Sequence, residues 1–145
     1  MDRFLKLLDN NLICTHYILH PEKHQCIIYA ESSNHSVTCP YCSTSSTKVH
    51  SRYQREIQDL PIQDMQVVLL LNTRKMFCQN PNCKHKTFAE RFDFVDSKAQ
   101  KTNRLVSHIL DTSLKLSSVS ASSLLKKHCI KISKSSLCNL VKKNT

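Results

Sequence analysis

Two close pairs of cysteines give this sequence a spacing suited to binding a metal ion. Cys39 and Cys42 are separated by two residues, and Cys78 and Cys83 by four. Each pair can offer two thiolates from one turn, and two such turns complete a tetrahedron around zinc at Zn–S distances of about 2.3 Å. Because four protein ligands leave no position for water, we expect one structural zinc ion rather than a catalytic one.

Disulfides and redox chemistry are the alternative uses of these cysteines. The chain begins without a recognisable signal peptide, which favours metal binding over a secreted disulfide scaffold. A thioredoxin-like role for the first pair is disfavoured because Ser43–Thr47 has no helical pattern and because a redox motif needs no second pair. His85 could support or replace a ligand. The cysteines without ligand spacing are expected to be small apolar side chains or surface thiols: Cys14, Cys26, Cys129 and Cys138.

The positive charge of the chain is concentrated in its last third. The formal net charge is +10, and residues 98–145 hold ten Lys and Arg against one acid, Asp111. Such asymmetry indicates a basic module that meets a polyanion. The longest apolar run, Val67–Leu71, is too short to span a bilayer. We therefore expect double-stranded DNA as the partner, with no membrane and no small-molecule substrate.

The metal turns should lie on strands, which is the zinc-ribbon arrangement. A short helix is expected within residues 1–9, and strands near Ile13–Leu19, Gln25–Ala30, Thr47–His50, Gln66–Asn72 and Lys86–Glu90. The polar segment Arg55–Asp64 reads as a connection. Glycine is absent, so tight turns are expected to use other residues, among them Asn34, Asn72, Asn80 and Asn82.

After Asp93 the apolar residues recur at helical spacing. Leu105, Ile109 and Leu114 predict a first helix capped by Thr102. A break at Ser117-Ser118 precedes a second helix over Val119–Lys127, although the serine-rich stretch also suits a flexible linker. Ser133 is expected to cap a third helix with Leu137, Leu140 and Val141 inward. This is the helix-turn-helix pattern, with Cys129 where the turn usually has glycine.

The third helix should face DNA. Its short polar groups could reach base edges while the lysines hold phosphates. A solvated surface is the alternative for each residue. The expected contacts are Lys134, Ser135, Ser136, Asn139, Lys142 and Lys143, with Lys126, Lys127 and Arg104 nearby. On the ribbon, Arg52, Arg55, Arg74 and Lys75 could touch phosphate or form a solvated strand face.

Several motifs together resemble a known family. They are Cys39–Cys42, His50–Pro61, Arg74–Cys78 and Lys86–Arg91, followed by the helical pattern. This order is similar to bacterial insertion-sequence transposases of the IS-L-three group, the IS204/IS1001/IS1096/IS1165 type, and it extends over nearly the whole chain. The resemblance implies binding to the terminal inverted repeats of the element. In the family, strand cleavage belongs to an Asp-Asp-Glu domain, which we expect to be missing from this chain.

We therefore expect a truncated transposase fragment that binds DNA and is not an enzyme. A regulator or inhibitor of transposition and a zinc-dependent protein-interaction module are the alternatives. A second copy of the chain or an intact transposase is a further expected partner, and the location is cytoplasmic, at the nucleoid. The fold class is α+β: an N-terminal β-rich segment (1–35), a zinc ribbon (36–92), a linker (93–101) and a three-helix helix-turn-helix domain (102–145).

Overall fold

The computed structural model describes residues 1–116 and 118–144. Its elements have a mixed character, with β-strands in the first two thirds and helices after residue 102. In chain order they are α1 (Asp2–Leu8), β1 (Leu12–His20), β2 (Gln25–Ser32), β3 (Val37–Thr38), β4 (Ser45–Ser46), β5 (Val49–Ile62), β6 (Met65–Phe77), β7 (Thr87–Ala89), α2 (Asn103–Ser113), α3 (Ser118–Lys127) and α4 (Lys134–Asn144). The expected α+β content is confirmed.

One five-stranded sheet carries most of the β structure. Its order is β1-β2-β6-β5, with β7 pairing the far end of β6. The β2–β6 pair is parallel, and the other pairs are antiparallel. Because β6 lies between two neighbours, its run Val67–Leu71 is largely buried. The suggested boundary between residues 35 and 36 lies between β2 of this sheet and β3, which pairs with β4 in a separate two-stranded sheet.

The prediction that Arg55–Asp64 is a connection is wrong, because residues 55–62 belong to β5 and only the last two lie in the turn to β6. On β5, Ile57 and Asp59 are buried and Gln58 between them is half-buried, while residues 49–54 are exposed. The hairpin to β6 uses two residues with positive φ, Gln63 at 49° and Asp64 at 62°. Such a turn normally carries Asn-Gly or Asp-Gly. The sequence therefore lacked the usual hairpin signal. The polar residues on one face of β5 also obscured the alternation of apolar and polar residues that is typical of a strand.

The principal core lies on one face of this sheet. Leu5 of α1 packs there against buried side chains of β1, β2, β5 and β6. Phe94 and Val95, from the segment suggested as a linker, are buried in the same core. Lys101 forms a parallel bridge with Gln58 of β5. Residues 93–101 thus contribute to the core and are tied to β5.

The three C-terminal helices share a second core. Each helix contacts the other two. Thr102 caps α2 as predicted, its hydroxyl accepting a hydrogen bond from Leu105 N. The buried side chains are Leu105, Ile109, Ala121, Leu125, Ile130, Ile132 and Leu137. None of the helices in the described ranges combines the length and apolar character that crossing a bilayer demands. The predicted break at Ser117 lies outside the described residues.

The turn between α3 and α4 ends α3 in a defined way. Ile130 N donates to Leu125 O at 2.8 Å, and Cys129 N donates to Lys126 O at 3.1 Å. Cys129 has a φ of 66°. These two bonds and the left-handed residue form a Schellman motif, in which Ile130 packs on the same core as Leu125. Cys129 therefore takes the conformation expected of glycine, at a cost of about 1 kcal/mol.

Asp59 joins the sheet to the helices. Its buried carboxylate accepts hydrogen bonds from the Thr102 hydroxyl at 2.7 Å and from Arg104 Nε at 2.9 Å. The Asp59 carboxylate raises the pKa of the Arg104 guanidinium through this hydrogen bond. Nearby, Thr102 N donates to Gln58 O at 3.0 Å. The start of α2 is thus fixed to the middle of β5.

Candidate metal centre

The first cysteine pair lies in the tight turn of the β3–β4 hairpin. Cys39 N donates to Thr44 O at 2.9 Å, and Ser43 N donates back to Cys39 O at 2.8 Å. Ser43 has a φ of 62°, the left-handed conformation that such a turn requires. The two backbone bonds close the turn and place both sulfur atoms on one side. Cys39 is fully buried and Cys42 half-buried.

The second pair lies in the loop from β6 to β7. Cys78 N donates to Lys86 O at 2.8 Å, and Cys83 N donates to Asn80 O at 3.1 Å. The Asn80 side chain also accepts from Asn82 N at 3.0 Å. The predicted asparagine turn is thus present at these two positions. Asn72, which was also expected in a turn, lies within β6 instead.

The structure brings the four predicted sulfur atoms together, all within 4.8 Å of one another. The Sγ atoms of Cys42 and Cys78 are 3.5 Å apart. Ligands at about 2.3 Å around a tetrahedral ion would be separated by roughly 3.8 Å. In the described part of the chain, this is the one group of three or more His, Cys, Asp and Glu side chains near enough to share a metal ion.

Backbone hydrogen bonds favour thiolates at three of the four cysteines. In each case the N–H two residues later in the chain bonds the sulfur, which stabilises negative charge there. The donor residues are Thr44 for Cys42, Asn80 for Cys78 and His85 for Cys83.

The thiols of this cluster cannot all ionise together without a cation. Hydrogen bonds from the Thr44 side chain and backbone lower the pKa of Cys42 to about 6. At Cys78 the Asn80 backbone lowers the pKa, but burial and the neighbouring thiols outweigh it and raise the pKa to about 12. A dication removes this conflict because it attracts all four thiolates at once. The four cysteines form the site of one structural zinc ion.

The apolar core beneath the metal site is very small. It consists of Cys39, Met76 and Phe88, with the other three cysteines and Val37 packed partly against it. Three buried side chains supply little hydrophobic stabilisation, at roughly 1.5–3 kcal/mol each. The metal must therefore hold the two hairpins together.

A buried ion pair closes the base of the ribbon. Arg74 donates to Glu90 through Nη2 at 2.7 Å and through Nε at 3.2 Å. Its Nη1 donates to Asn34 O at 2.7 Å. One guanidinium therefore binds both the segment that precedes the ribbon and the segment that follows β7. The hypothesis that Arg74 touches phosphate is wrong, because its side chain is only 9% exposed.

An aromatic and cationic stack lies beside the metal. His85 stacks on Tyr41 with ring centroids 3.6 Å apart, and the Arg91 guanidinium lies 5.5 Å from the Tyr41 centroid. His85, which the sequence offered as a possible ligand, is thus engaged with Tyr41, and the metal cluster consists of the four cysteines. The sequence could indicate this stack only if the two cysteine turns were already known to lie next to each other.

The structure places the predicted DNA-contact residues on or near α4. All six α4 residues are exposed, and so are Lys126 and Lys127 of α3. Arg104 differs because its guanidinium is paired with Asp59. On the ribbon strands Arg52 and Lys75 are exposed, whereas Arg55 is half-buried. Two functional pairings escaped the sequence analysis, Arg74 with Glu90 and Asp59 with Arg104, since no sequence spacing signals them.

Two cysteine turns on β-hairpins around a shared metal site define a zinc ribbon. Residues 35–83 match the family model described as the zinc-finger of transposase IS204/IS1001/IS1096/IS1165. The chain carries the zinc ribbon of this transposase family, and the predicted resemblance is confirmed. The match covers about a third of the 145 residues. No curated protein and no solved structure matches the chain.

Proposed function

We propose that this protein binds double-stranded DNA through residues 102–145, with α3 and α4 acting as a helix-turn-helix and α4 as the recognition helix. The zinc ribbon, residues 36–92, is the scaffold that supports this unit. The observation that carries the proposal is the composition of α4. It buries Leu137 completely and exposes a face of serine, asparagine and lysine. No acid lies on this helix.

The anchoring of α4 supports its role in reading DNA. Ser133 Oγ accepts from Ser136 N at 3.1 Å and so caps the helix. The Schellman turn before it fixes the direction in which α4 leaves α3. A recognition helix must be held rigidly while its N-terminal side chains reach base edges. The proposed base contacts are Ser135, Ser136 and Asn139, and the proposed phosphate contacts are Lys134, Lys142 and Lys143.

The zinc-ribbon family suggests which DNA is bound. The ribbon comes from transposases, so the terminal inverted repeats of an insertion sequence are the proposed target, reached in the cytoplasm at the nucleoid. Two acids near the ribbon are already committed to structure, since Glu90 pairs with Arg74 and Asp59 with Arg104. The contribution of this chain is therefore recognition of the element ends, either within transposition or in competition with an intact transposase.

Selection of bound duplexes from a random pool, with the zinc-loaded chain, tests the proposal. We expect enrichment of a defined sequence and a steep loss of affinity with salt, with a log–log slope of about −0.9 per phosphate contact. Asn139→Ala should relax the preference at one or two positions, because a bidentate base contact is worth about 1–3 kcal/mol.

Asn10→Ala is the matched control, since Asn10 is exposed near α1 and far along the chain from α4. It should leave the selected sequence unchanged. Absence of binding even at low salt would overturn the proposal and favour a protein partner. Binding with no sequence preference would remove the recognition role of α4.

A further inference from the structure

A cleft separates α4 from the segment that precedes α2. Its volume is about 360 Å³. Lys98 and Lys101 line one side, and Lys143 of α4 lines the other. Ser136 and Asn139, the two central side chains of the proposed base-reading face, also line it. The cleft therefore adjoins the surface where the duplex is proposed to lie.

The charged side chains that line the cleft are all positive. No acidic side chain lines it. In the described part of the chain, the ion pairs involve none of its three lysines. Asp96 lines the adjoining groove together with Lys101 and Lys143, and Glu56 shares other grooves with Lys98 and Lys101; both acids are exposed to solvent. Three ammonium groups around one concave space attract an anion, and the attraction is stronger there than on a flat surface.

The segment that carries Lys98 and Lys101 is held in place from below. Arg55 Nη2 donates to Asp96 O at 3.0 Å and to Ala99 O at 2.9 Å. Gln58 N donates to Gln100 O at 2.9 Å. Lys98 itself has a φ of 63°, a conformation that costs a lysine about 1 kcal/mol and persists only where neighbours impose it. The two lysines are therefore presented by a fixed backbone rather than by a free loop.

We propose that Lys98 and Lys101, together with Lys143, form a phosphate-binding cleft for the backbone of the duplex that α4 reads. The inference rests on the proposed function, because it names further contacts of the same complex. A helix in the major groove lies between two phosphate backbones, and contacts to one of them fix its register. The β5-anchored segment would supply these contacts. Arg55 is then a positioning residue, since it holds the segment without reaching the DNA.

The double variant Lys98→Gln, Lys101→Gln tests the cleft in the full zinc-loaded chain against a selected duplex. Loss of two phosphate contacts should reduce the magnitude of the log–log salt slope by about 1.8. The ratio of wild-type to variant affinity should then fall about 12-fold between about 50 and about 200 mM salt. The loss should be uniform across duplex sequences, unlike that of Asn139→Ala.

Arg3→Gln, Lys6→Gln is the matched control, because it removes the same charge from exposed positions of α1. It should change the salt slope by much less than the value of about 0.9 expected for the loss of one phosphate contact. The charge-preserving variant Lys98→Arg, Lys101→Arg should keep the wild-type slope, which separates lost contacts from lost folding. A wild-type salt slope in the Lys98→Gln, Lys101→Gln variant would overturn the proposed phosphate-binding cleft but not the proposed function. Failure of the wild-type chain to bind any duplex would overturn the proposed function with it.

Discussion

The metal end of the zinc ribbon and the helical bundle are stabilised in different ways. The core beneath the metal site buries three apolar side chains, and one of them, Cys39, is also a metal ligand. The bundle buries seven, contributed by three helices and the turn between the last two. A β unit this small cannot build a sufficient core, so metal coordination and a buried ion pair replace it. The bundle folds around ordinary apolar packing.

Removal of zinc should have the largest effect and should separate the two regions. Structural zinc contributes on the order of 10–16 kcal/mol in comparable small domains. We expect chelation, or Cys39→Ser, to unfold the β3–β4 hairpin and the loop from β6 to β7, because the principal core holds β5 and most of β6 in place. Hydrogen exchange resolved along the chain measures this, since amides of α2 to α4 should retain more protection than those around the cysteines.

Cys14→Ser is the control for the substitution, because Cys14 is a half-buried cysteine outside the metal cluster. It should retain one zinc ion per chain. Unchanged protection of the β3–β4 hairpin and of the loop from β6 to β7 after complete loss of zinc would show that the ribbon does not depend on its metal.

Substitution of Arg74 should have the next largest effect and again act on the ribbon. Arg74→Met leaves the buried Glu90 carboxylate without its charged partner, which costs about 3–5 kcal/mol. The midpoint of guanidinium denaturation for the zinc-bound chain measures this loss. Lys75→Met, at the next and exposed position of β6, is the control and should change stability by about 0.5 kcal/mol or less.

A double variant tests whether the unpaired Glu90 carboxylate causes this loss of stability. Arg74→Met, Glu90→Met replaces both charges with apolar groups and should regain much of the lost stability. If the double variant is as unstable as Arg74→Met, the bond from Arg74 to Asn34 O, rather than the unpaired Glu90, accounts for the loss.

Leu137→Ala should have a smaller effect, and it should fall on the bundle. Removing this fully buried side chain from α4 costs about 2–5 kcal/mol. We expect loss of DNA affinity and a lower melting temperature, with zinc content unchanged. Val119→Ala is the control because Val119 is 60% exposed. Loss of zinc from Leu137→Ala would mean that the two regions fold as one unit.

Local features were the most predictable from sequence. The caps at Thr102 and Ser133 depend on a side chain and an N–H three residues later, so the chain segment itself specifies them. The cysteine turns are equally local, and their spacing indicated the metal. The strand β6 was visible because burial on both faces required a continuous apolar run.

Features that depend on distant neighbours were missed or misread. The polar strand β5 takes its conformation from pairing with β6, and its turn contains neither glycine nor asparagine. Arg74 looked like a surface cation because nothing in its own segment indicates Glu90, which meets it only through the pairing of β6 with β7. The cleft beneath α4 likewise arises from two segments that the sequence separates by about forty residues.

The sequence by itself determined the metal, its four candidate ligands, the helical third of the chain and the concentration of positive charge there. These follow from residue type and short spacing, which remain the same however the chain folds. Tertiary structure alone decided which cationic side chains are exposed, because an arginine is available for binding only where folding brings no acid close enough to pair with it. Arg74 and Arg104 form ion pairs with Glu90 and Asp59, whereas in the described part of the chain no ion pair involves Lys98 or Lys101, which line the cleft beside α4.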